Sequence, residues 1–412
     1  MNEDRLTALD PSALWKRLRE RSDRIEAADE VLCKHDTSVN TLAERLHPKV
    51  QYMKIAAVTD NAGAKTYRLI PDHARGTSEC AYFQAGQYLS VSLNIGGKPT
   101  SRPYSLTSAP REALCGFYEI TVKPVPGGAA SDHILSEWRV GTEIMVSAPL
   151  GHFTYEPLRD AGHIVGFAGG SGVTPFLSLA KAIADGDERC TLTLLYGSRT
   201  KKDILFRQEL AEITHRTQKI RVVHVLSDEI CEDAEHGLVD AALIARYLPQ
   251  APYSVFLCGP EGMVSFADRE LARLHIEPRR IRHELRGEVL DPTRLADCPS
   301  AEEKTVRLTV HIGQAQKVVS GTTREPVLRI LERGCATPPT GCRSGECGFC
   351  RSRLIAGDVW MPKSMDKRRQ ADAVYGYIHP CCSYPLGDLE LEIFPPATKE
   401  KGNDQNGSDT DD

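Results

Sequence analysis

Nine consecutive residues, Cys342-Arg343-Ser344-Gly345-Glu346-Cys347-Gly348-Phe349-Cys350, place three thiols at the spacing C-x4-C-x2-C, and a further pair, Cys381-Cys382, follows downstream. Three thiolates on one tight loop and a fourth from a distant segment are the ligand spacing of a [2Fe–2S] cluster. Two irons bridged by two sulfides need thiolates wrapped around a compact body. Gly341, Gly345 and Gly348 let the backbone curl around it, because glycine accepts positive φ. A curled loop also turns N–H groups toward the sulfurs, which tunes the potential. Two other readings exist. Zinc usually takes two C-x2-C pairs, and one is present here; a group of unrelated buried cysteines is the blander possibility. A cluster moves one electron at a time and makes no bonds, so the electron source must lie elsewhere in the chain.

Ser101-Arg102-Pro103-Tyr104-Ser105-Leu106 is the second constellation. It matches the R-x-Y-[ST] motif of the ferredoxin–NADP⁺ reductase superfamily, and the chain resembles that family from here on. In an extended segment Arg102 and Tyr104 face the same way. Arginine supplies a fork of donors for a phosphate. Tyrosine offers an aromatic face and a hydroxyl, which suits an isoalloxazine ring. The alternative is an ordinary strand with an exposed arginine. Thr121-Val122-Lys123, followed by Gly127-Gly128-Ala129-Ala130-Ser131, resembles the family's second flavin element, in which G-G-x-x-S opens a helix. Helix N-termini expose unpaired N–H groups that suit a pyrophosphate, and Ser131 adds a hydroxyl. A pyrophosphate implies FAD; FMN is the alternative cofactor on the same barrel.

Ile164-Val165-Gly166-Phe167-Ala168 reads as a buried parallel strand. Gly169-Gly170-Ser171-Gly172-Val173-Thr174-Pro175 and a helical pattern follow. Strand, glycine turn and helix in this order present backbone N–H groups to a dinucleotide. The form is G-G-x-G-x-T-P rather than G-x-G-x-x-G. The next strand, Thr191 to Tyr196, runs into Gly197-Ser198-Arg199-Thr200-Lys201-Lys202. Arg199 would welcome a 2′-phosphate, which leans toward NADPH; a solvated basic loop is the alternative. Ser254 to Leu257 is a further apolar run that ends in Cys258-Gly259-Pro260.

The resemblance implies roles for these positions. Ser105 would hydrogen-bond the flavin near N5, and Thr174 would lie near the nicotinamide. Cys258 would sit beside both rings, with Gly259 and Pro260 completing its turn; a buried structural cysteine is the other reading. Ser198 and Arg199 would face the adenosine ribose. Ile281-Arg282-His283-Glu284-Leu285 resembles the family's final strand, which places Glu284 near the flavin. The aromatic that often follows is Arg286 here, which puts the role of Glu284 in doubt. His379 to Glu390 resembles the end of a plant-type ferredoxin domain, in the pattern C-x-x-x-P-x-x-D. That pattern makes Cys381 the fourth ligand, beside Cys342, Cys347 and Cys350, with Cys382 as its neighbour.

The elements that must position these groups fall in three blocks. Short strands between turns from about Val50 onward, including Thr66 to Ile70, Tyr88 to Leu93 and Phe117 to Val122, predict an antiparallel β-barrel. Strands alternating with helices predict an α/β nucleotide-binding domain. Val306 to Ile312, Gln316 to Val319, a helix over Pro326 to Arg333 and a closing strand Leu389 to Ile393 predict a β-grasp [2Fe–2S] ferredoxin domain. The expected boundaries are 1–45 for an N-terminal extension with a helix over Pro11 to Arg24, 46–158 for the FAD-binding barrel, 159–290 for the NAD(P)-binding domain, 291–303 for a linker, 304–396 for the ferredoxin-like domain and 397–412 for a disordered tail.

The 412 residues carry a net charge of −5, with 41% apolar and 26% charged residues. That balance fits soluble globular protein and gives no support for a nucleic-acid partner. Ala161 to Ala180 is uncharged, but its glycines and proline break a spanning helix rather than build one. Thirteen cysteines without a signal peptide predict the reducing cytoplasm. These features together predict a multidomain NAD(P)H:acceptor oxidoreductase. Hydride-derived electrons would pass through FAD to a [2Fe–2S] cluster and on to a partner redox protein: an oxygenase or hydroxylase, a hybrid-cluster protein or another reductase. The alternative is a subunit of a larger complex that oxidises no free nucleotide.

Overall fold

The computed structural model describes residues 46–284, 287–289, 291–295, 297–299 and 302–394, with 16, 19–21, 23, 42 and 43 besides. Leu285, Arg286, the tail from Thr398 and most of the expected Pro11–Arg24 helix lie outside them. The first 45 residues form a unit apart from the rest, and the second unit, from Leu46 onward, holds three main sheets.

Its first sheet is antiparallel, in the order β4-β3-β6-β1-β2-β5. The strands are β1 (Gln51–Asn61), β2 (Ala64–Pro71), β3 (Tyr88–Ile95), β4 (Lys98–Ser105), β5 (Tyr118–Val122) and β6 (Glu143–Val146). Alternation drives the closure. Met53 and Ile55 on β1, Tyr67 and Leu69 on β2, and Leu89 and Val91 on β3 turn their side chains into one core. A bridge between Leu106 and Ile120 brings the end of β4 onto β5, so the sheet closes into a barrel.

The second sheet has the order β10-β9-β8-β7-β11-β12, from β7 (His163–Gly169), β8 (Thr191–Ser198), β9 (Ile220–Leu226), β10 (Glu235–His236), β11 (Ser254–Cys258) and β12 (Ile281–His283). All its pairings are parallel. Helices cover both faces, which is why β7, β8 and β11 are buried along most of their length rather than on alternate residues. Gly166 lets the Thr174–Asp185 helix lie close on β7. A Cβ there would stand 2.7 Å from the Phe176 ring.

The third sheet has the order β14-β13-β19-β15-β17, from β13 (Thr305–Ile312), β14 (Ala315–Thr322), β15 (Ser352–Ala356), β17 (Tyr377–Ile378) and β19 (Leu389–Ile393). The β13–β14 hairpin is antiparallel, and β13 and β19 run parallel in its middle. This is a β-grasp sheet. Two short strands, β16 (Val359–Trp360) and β18 (Tyr384–Pro385), pair beside it. The Val327–Arg333 helix packs on it at Gly321, where a Cβ would meet Ile330 at 2.5 Å.

The three sheets meet at seams of hydrogen bonds and aromatic contacts. The Ser178 hydroxyl donates to Ser108 O (2.7 Å), and Phe153 packs its ring against Phe176 and Phe256. The barrel meets the β-grasp unit along β4. Thr100 Oγ1 donates to Glu332 Oε1 (2.8 Å), and the Ser101 and Thr340 hydroxyls lie 2.6 Å apart. Behind them the Arg343 side chain is almost wholly buried. It grips both oxygens of Glu332 (2.6 and 2.8 Å) and also reaches Glu288. Removing one partner of a buried ion pair strands the other charge, at about 3–5 kcal/mol. Glu332→Leu should therefore cost about 3 kcal/mol, read as faster hydrogen exchange across the Val327–Arg333 helix. Asp388→Asn, which opens the exposed pair with Arg307, should leave exchange there unchanged. Equal behaviour of the two variants would deny the buried pair its structural role.

Candidate electron-transfer site

The sequence and the folded chain meet first at the cysteine loop. Gly345 (φ 84) and Gly348 (φ 70) take the positive φ that a tight curl needs. A Cβ on Gly345 would run into Met365 O at 2.3 Å, so no other residue fits there. The curl turns amides onto sulfur. Gly345 N–H donates to Cys381 Sγ (3.2 Å), Cys347 N–H and Ser344 N–H donate to Cys342 Sγ (3.3 and 3.4 Å), and Cys342 N–H donates to Cys347 Sγ (3.4 Å). The Cys381 thiol also lies within hydrogen-bonding reach of the thiols of Cys342, Cys350 and Cys382. Cys382, fully buried, donates to His379 O (3.5 Å), and its sulfur stands 2.8 Å from where a Cβ on Gly345 would lie. Thiolates that receive several N–H bonds are held ready for iron, so this cluster of sulfurs fits the group its spacing implies.

The loop lies against the barrel. A Cβ on Gly341 would stand 3.2 Å from Cys347 Sγ and 3.5 Å from Leu150 Cδ1 of the turn after β6. The Ser101–Thr340 contact lies two residues ahead of Cys342. Thus β4, which carries Arg102, Pro103, Tyr104 and Ser105, touches the cluster loop at one end.

Tyr104 is half-buried, and burial pushes its phenol up to about 12, so it stays neutral. Arg102 folds back along its own strand and donates to Thr100 Oγ1 and Ser101 O, both at 2.7 Å. Burial lowers its guanidinium, and Arg343 nearby adds to the effect. At the strand's far end Ser105 Oγ donates to Glu284 Oε1 (3.4 Å). Glu284 Oε2 is buried with no hydrogen-bond partner among the described residues. Burial, with a further push from Glu346 and against the Ser105 bond, raises this carboxyl to about 8. Burial and Glu284 also hold the Cys258 thiol well above its ordinary value. Ser105, Cys258 and Glu284, more than 150 positions apart at the extremes, form one cluster. An orphaned protonated carboxyl and a neutral thiol there suit a polar heterocycle.

Other expected flavin residues divide. The Ala129–Glu137 helix starts after Gly127 (φ 69) and Gly128, as the glycine pair predicts. Ser131, expected to donate to phosphate, is engaged by the turn instead. It donates to Gly128 O (2.8 Å) and accepts from Val125 N–H (3.2 Å). The Thr121 hydroxyl pairs with that of Thr66 (2.9 Å), and Val122 is buried in the barrel core, which leaves its backbone for contact. Lys123 turns toward the next site, with Nζ 3.7 Å from where a Cβ of Gly170 would be.

That site is a cleft of 740 Å³ across the C-terminal ends of β7, β8, β9 and β11. Strand order reverses between β7 and β11, and such switch points take ligands. Gly169, Gly170, Ser198, Arg199 and Pro260 line it. Glycine is required by contact: a Cβ on Gly169 would strike Met263 Sδ at 2.2 Å, one on Gly172 would strike Cys258 O at 2.1 Å, and one on Gly259 would meet Met263 Sδ at 2.8 Å. Thr174 caps its own turn, donating to Ser171 O (2.9 Å), with Pro175 behind it in the first helical turn. Ser198 Oγ is buried without a partner among the described residues. Arg199 differs from expectation. It pairs with Asp228 (3.0 Å), a residue beyond β9 that the sequence reading passed over. Met263, Phe266 and Leu238 complete the apolar wall and were likewise missed. The helical spacing of Met263 and Phe266 after Cys-Gly-Pro was the available signal.

Comparison with known proteins agrees with this layout. Models of an oxidoreductase FAD-binding domain, an oxidoreductase NAD-binding domain and a 2Fe-2S iron-sulfur cluster binding domain match residues 73–155, 167–269 and 310–386. The ferredoxin reductase component of 3-ketosteroid-9-alpha-monooxygenase from Mycobacterium tuberculosis is 31% identical over 320 residues, 74% of this chain and 84% of that protein. The glycine betaine monooxygenase reductase subunit from Pseudomonas aeruginosa is 28% identical over 76% of this chain and 87% of its own. The structure of phthalate dioxygenase reductase covers 84% of this chain and 98% of its own with a TM-score of 0.59, at 22% identity, a likeness of fold. The chain is an oxidoreductase that carries electrons from a nicotinamide nucleotide through FAD to a [2Fe–2S] cluster and on to a redox partner. It belongs to the ferredoxin–NADP⁺ reductase superfamily, among the flavin/[2Fe–2S] reductases with a C-terminal plant-type ferredoxin domain.

Proposed function

We propose that this protein is the reductase component of an oxygenase system and draws its electrons from NADH in the cytoplasm. The observation that carries the reading is the seam at β4, where the strand bearing Arg102 to Ser105 is hydrogen-bonded to the segment that leads into Cys342. A donor site and a one-electron relay are thereby held in contact. FAD held at this site would supply a two-electron acceptor that can also release electrons one at a time toward the [2Fe–2S] site. What remains is alignment by the protein, to which a misplacement of about 1 Å is costly.

Tyr104 and the amides at Gly128 and Ala129 hold the flavin. Gly169, Gly170 and Gly172 let the nucleotide approach the backbone, and Thr174 and Pro175 set the start of the helix beneath it. Cys258, neutral at physiological pH, would pack against the rings as a soft apolar surface rather than act as a nucleophile. Glu284, held protonated by burial beside the Ser105 hydroxyl, would hold a proton within reach of a bound flavin ring. Cys342, Cys347, Cys350 and Cys381 hold the irons. Among the described residues no helix is long and apolar enough to cross a membrane, and free thiols in such number suit a reducing compartment.

Arg199 gives the nucleotide preference. Its guanidinium is matched by Asp228, so the pair offers no net charge to a 2′-phosphate and the Asp228 carboxylate repels one. The lean toward NADPH from Arg199 alone is reversed. Steady-state kcat/KM should favour NADH by at least about tenfold, or 1.4 kcal/mol, and Asp228→Ser should narrow the gap. A preference for NADPH would sink this part of the reading.

Two further outcomes are expected. Cys381→Ser should abolish the EPR signal of the dithionite-reduced cluster, while Cys382→Ser retains it; the reverse pattern would move the ligand to Cys382. The second concerns pH. Because the folded-state value of Glu284 lies above its ordinary 4.5, its contribution to stability is complete below that value and is lost as pH rises through about 8. Between pH 6 and 9 the apoprotein should lose on the order of 2 kcal/mol more than Glu284→Gln does. Parallel pH profiles in urea unfolding would show that Glu284 ionises normally.

A further inference from the structure

The cluster loop reaches solvent in one region. Cys342, Cys350 and Cys381 are buried, whereas Cys347 is partly exposed. Beside Cys347 opens a cavity of 330 Å³. Its apolar part is Phe349 and Phe394, large side chains left 46% and 44% exposed. Phe394 leans on Tyr377 (ring centroids 6.2 Å), and the Arg351 guanidinium lies 4.7 Å above the Tyr377 ring. Aromatic and arginine side chains in a shallow, partly apolar site are the composition of protein-interface hot spots.

The rim is basic. Arg351, Lys367 and Arg369 line the cavity against two carboxylates, Glu346 and Asp372. Asp372 is taken up by Arg351 at 3.0 Å. Lys367 faces Glu346, and no ion pair within 4.0 Å is formed by Lys367 or Arg369 among the described residues. A chain of net charge −5 thus concentrates positive charge at the mouth of its cluster. Such local contrast orients an approaching macromolecule, since the rest of the surface repels what this face attracts.

We propose that this face is the docking site of the electron acceptor, and that the acceptor is a protein with carboxylates ranged around its own redox centre. The proposal rests on the electron-relay reading above. Each encounter passes one electron from the cluster to one acceptor. Two encounters complete the oxidation of one NADH, with release of NAD⁺ and one proton. Arg351 and the two phenylalanines supply the contact, and Lys367 and Arg369 supply the steering.

The test uses the holoenzyme and one haem protein in two charge states. Native cytochrome c is basic, and succinylated cytochrome c carries carboxylates where the lysines were. The holoenzyme should reduce the succinylated form fast at low ionic strength. That rate should fall at least about tenfold in roughly 0.5 M salt, where charge is screened within a few ångströms. The double variant Lys367→Glu/Arg369→Glu, at equal iron content, should lose about tenfold with the succinylated form at low salt and gain with the native form. Bleaching of the flavin by NADH should not change. Carbodiimide treatment should join Lys367 to acceptor carboxylates without turnover. Unchanged salt dependence in the variant would overturn the proposal. So would a shift in its oligomeric state in place of its acceptor rates, which would give the face to a second copy of this chain. A cross-link at Lys367 with no reduction of either cytochrome would sustain the docking face and sink the relay reading instead.

Discussion

The structure turns on a single buried guanidinium. Arg343 sits between the first two cysteines of the loop, in a left-handed backbone conformation (φ 57) that non-glycine residues rarely adopt. Its side chain holds Glu332 on the β-grasp helix and Glu288 in the segment before the β-grasp unit. Glu332 accepts in turn from Thr100 on β4, and Thr100 accepts from Arg102. Four segments from three parts of the chain are thus joined through one charge. Burying such a group is expensive, and an apolar substitute of the same shape would often be more stable. What the ion pair offers in exchange is placement. Apolar side chains slide over one another, whereas a bidentate fork fixes distance and angle. An electron relay depends on that placement.

The nucleotide cleft is organised by the opposite means, an absence of side chains. Gly169, Gly172 and Gly259 bring β7, β11 and the Met263 helix so close that any Cβ would collide. The collapsed wall leaves backbone amides at the surface, where phosphates bind. Lys123, from the end of β5, reaches the same wall near Gly170. The barrel and the α/β unit therefore share the boundary of one cleft. Ser105, Cys258 and Glu284 meet a short way along that boundary. Hydride donor and acceptor sites need this continuity, because transfer requires the reacting atoms in van der Waals contact.

Several side chains whose type suggested a ligand are held by the protein itself. Ser131 completes the turn at Gly128, Arg102 folds along β4, and Arg199 is paired with Asp228. In each case the residue type was legible and its partner was not. A hydroxyl or guanidinium advertises hydrogen bonds, but the chain offers many acceptors besides a cofactor. Arg199 is the consequential example, since Asp228 lies on another strand end and changes the sign of the inference about the nucleotide.

What the amino-acid order determined by itself was whatever is local. Cysteine spacing, glycine turns and strand periodicity act over a few residues through backbone sterics and pleat geometry, so the cluster loop, the Gly169–Pro175 turn and strands such as Leu389–Ile393 were readable without coordinates. The choice of three sheet units followed from the same local signals. Tertiary structure alone decided the rest. It put Glu284 beside Ser105 and Cys258, gave the Cys381 sulfur the Gly345 amide and the Cys382 thiol the His379 carbonyl, matched Arg199 with Asp228, and left Lys367 and Arg369 around an open cleft beside Cys347. Those facts depend on burial and on contacts between distant segments. Burial sets the ionisation of a carboxyl and the worth of a charge pair, and no stretch of sequence contains it.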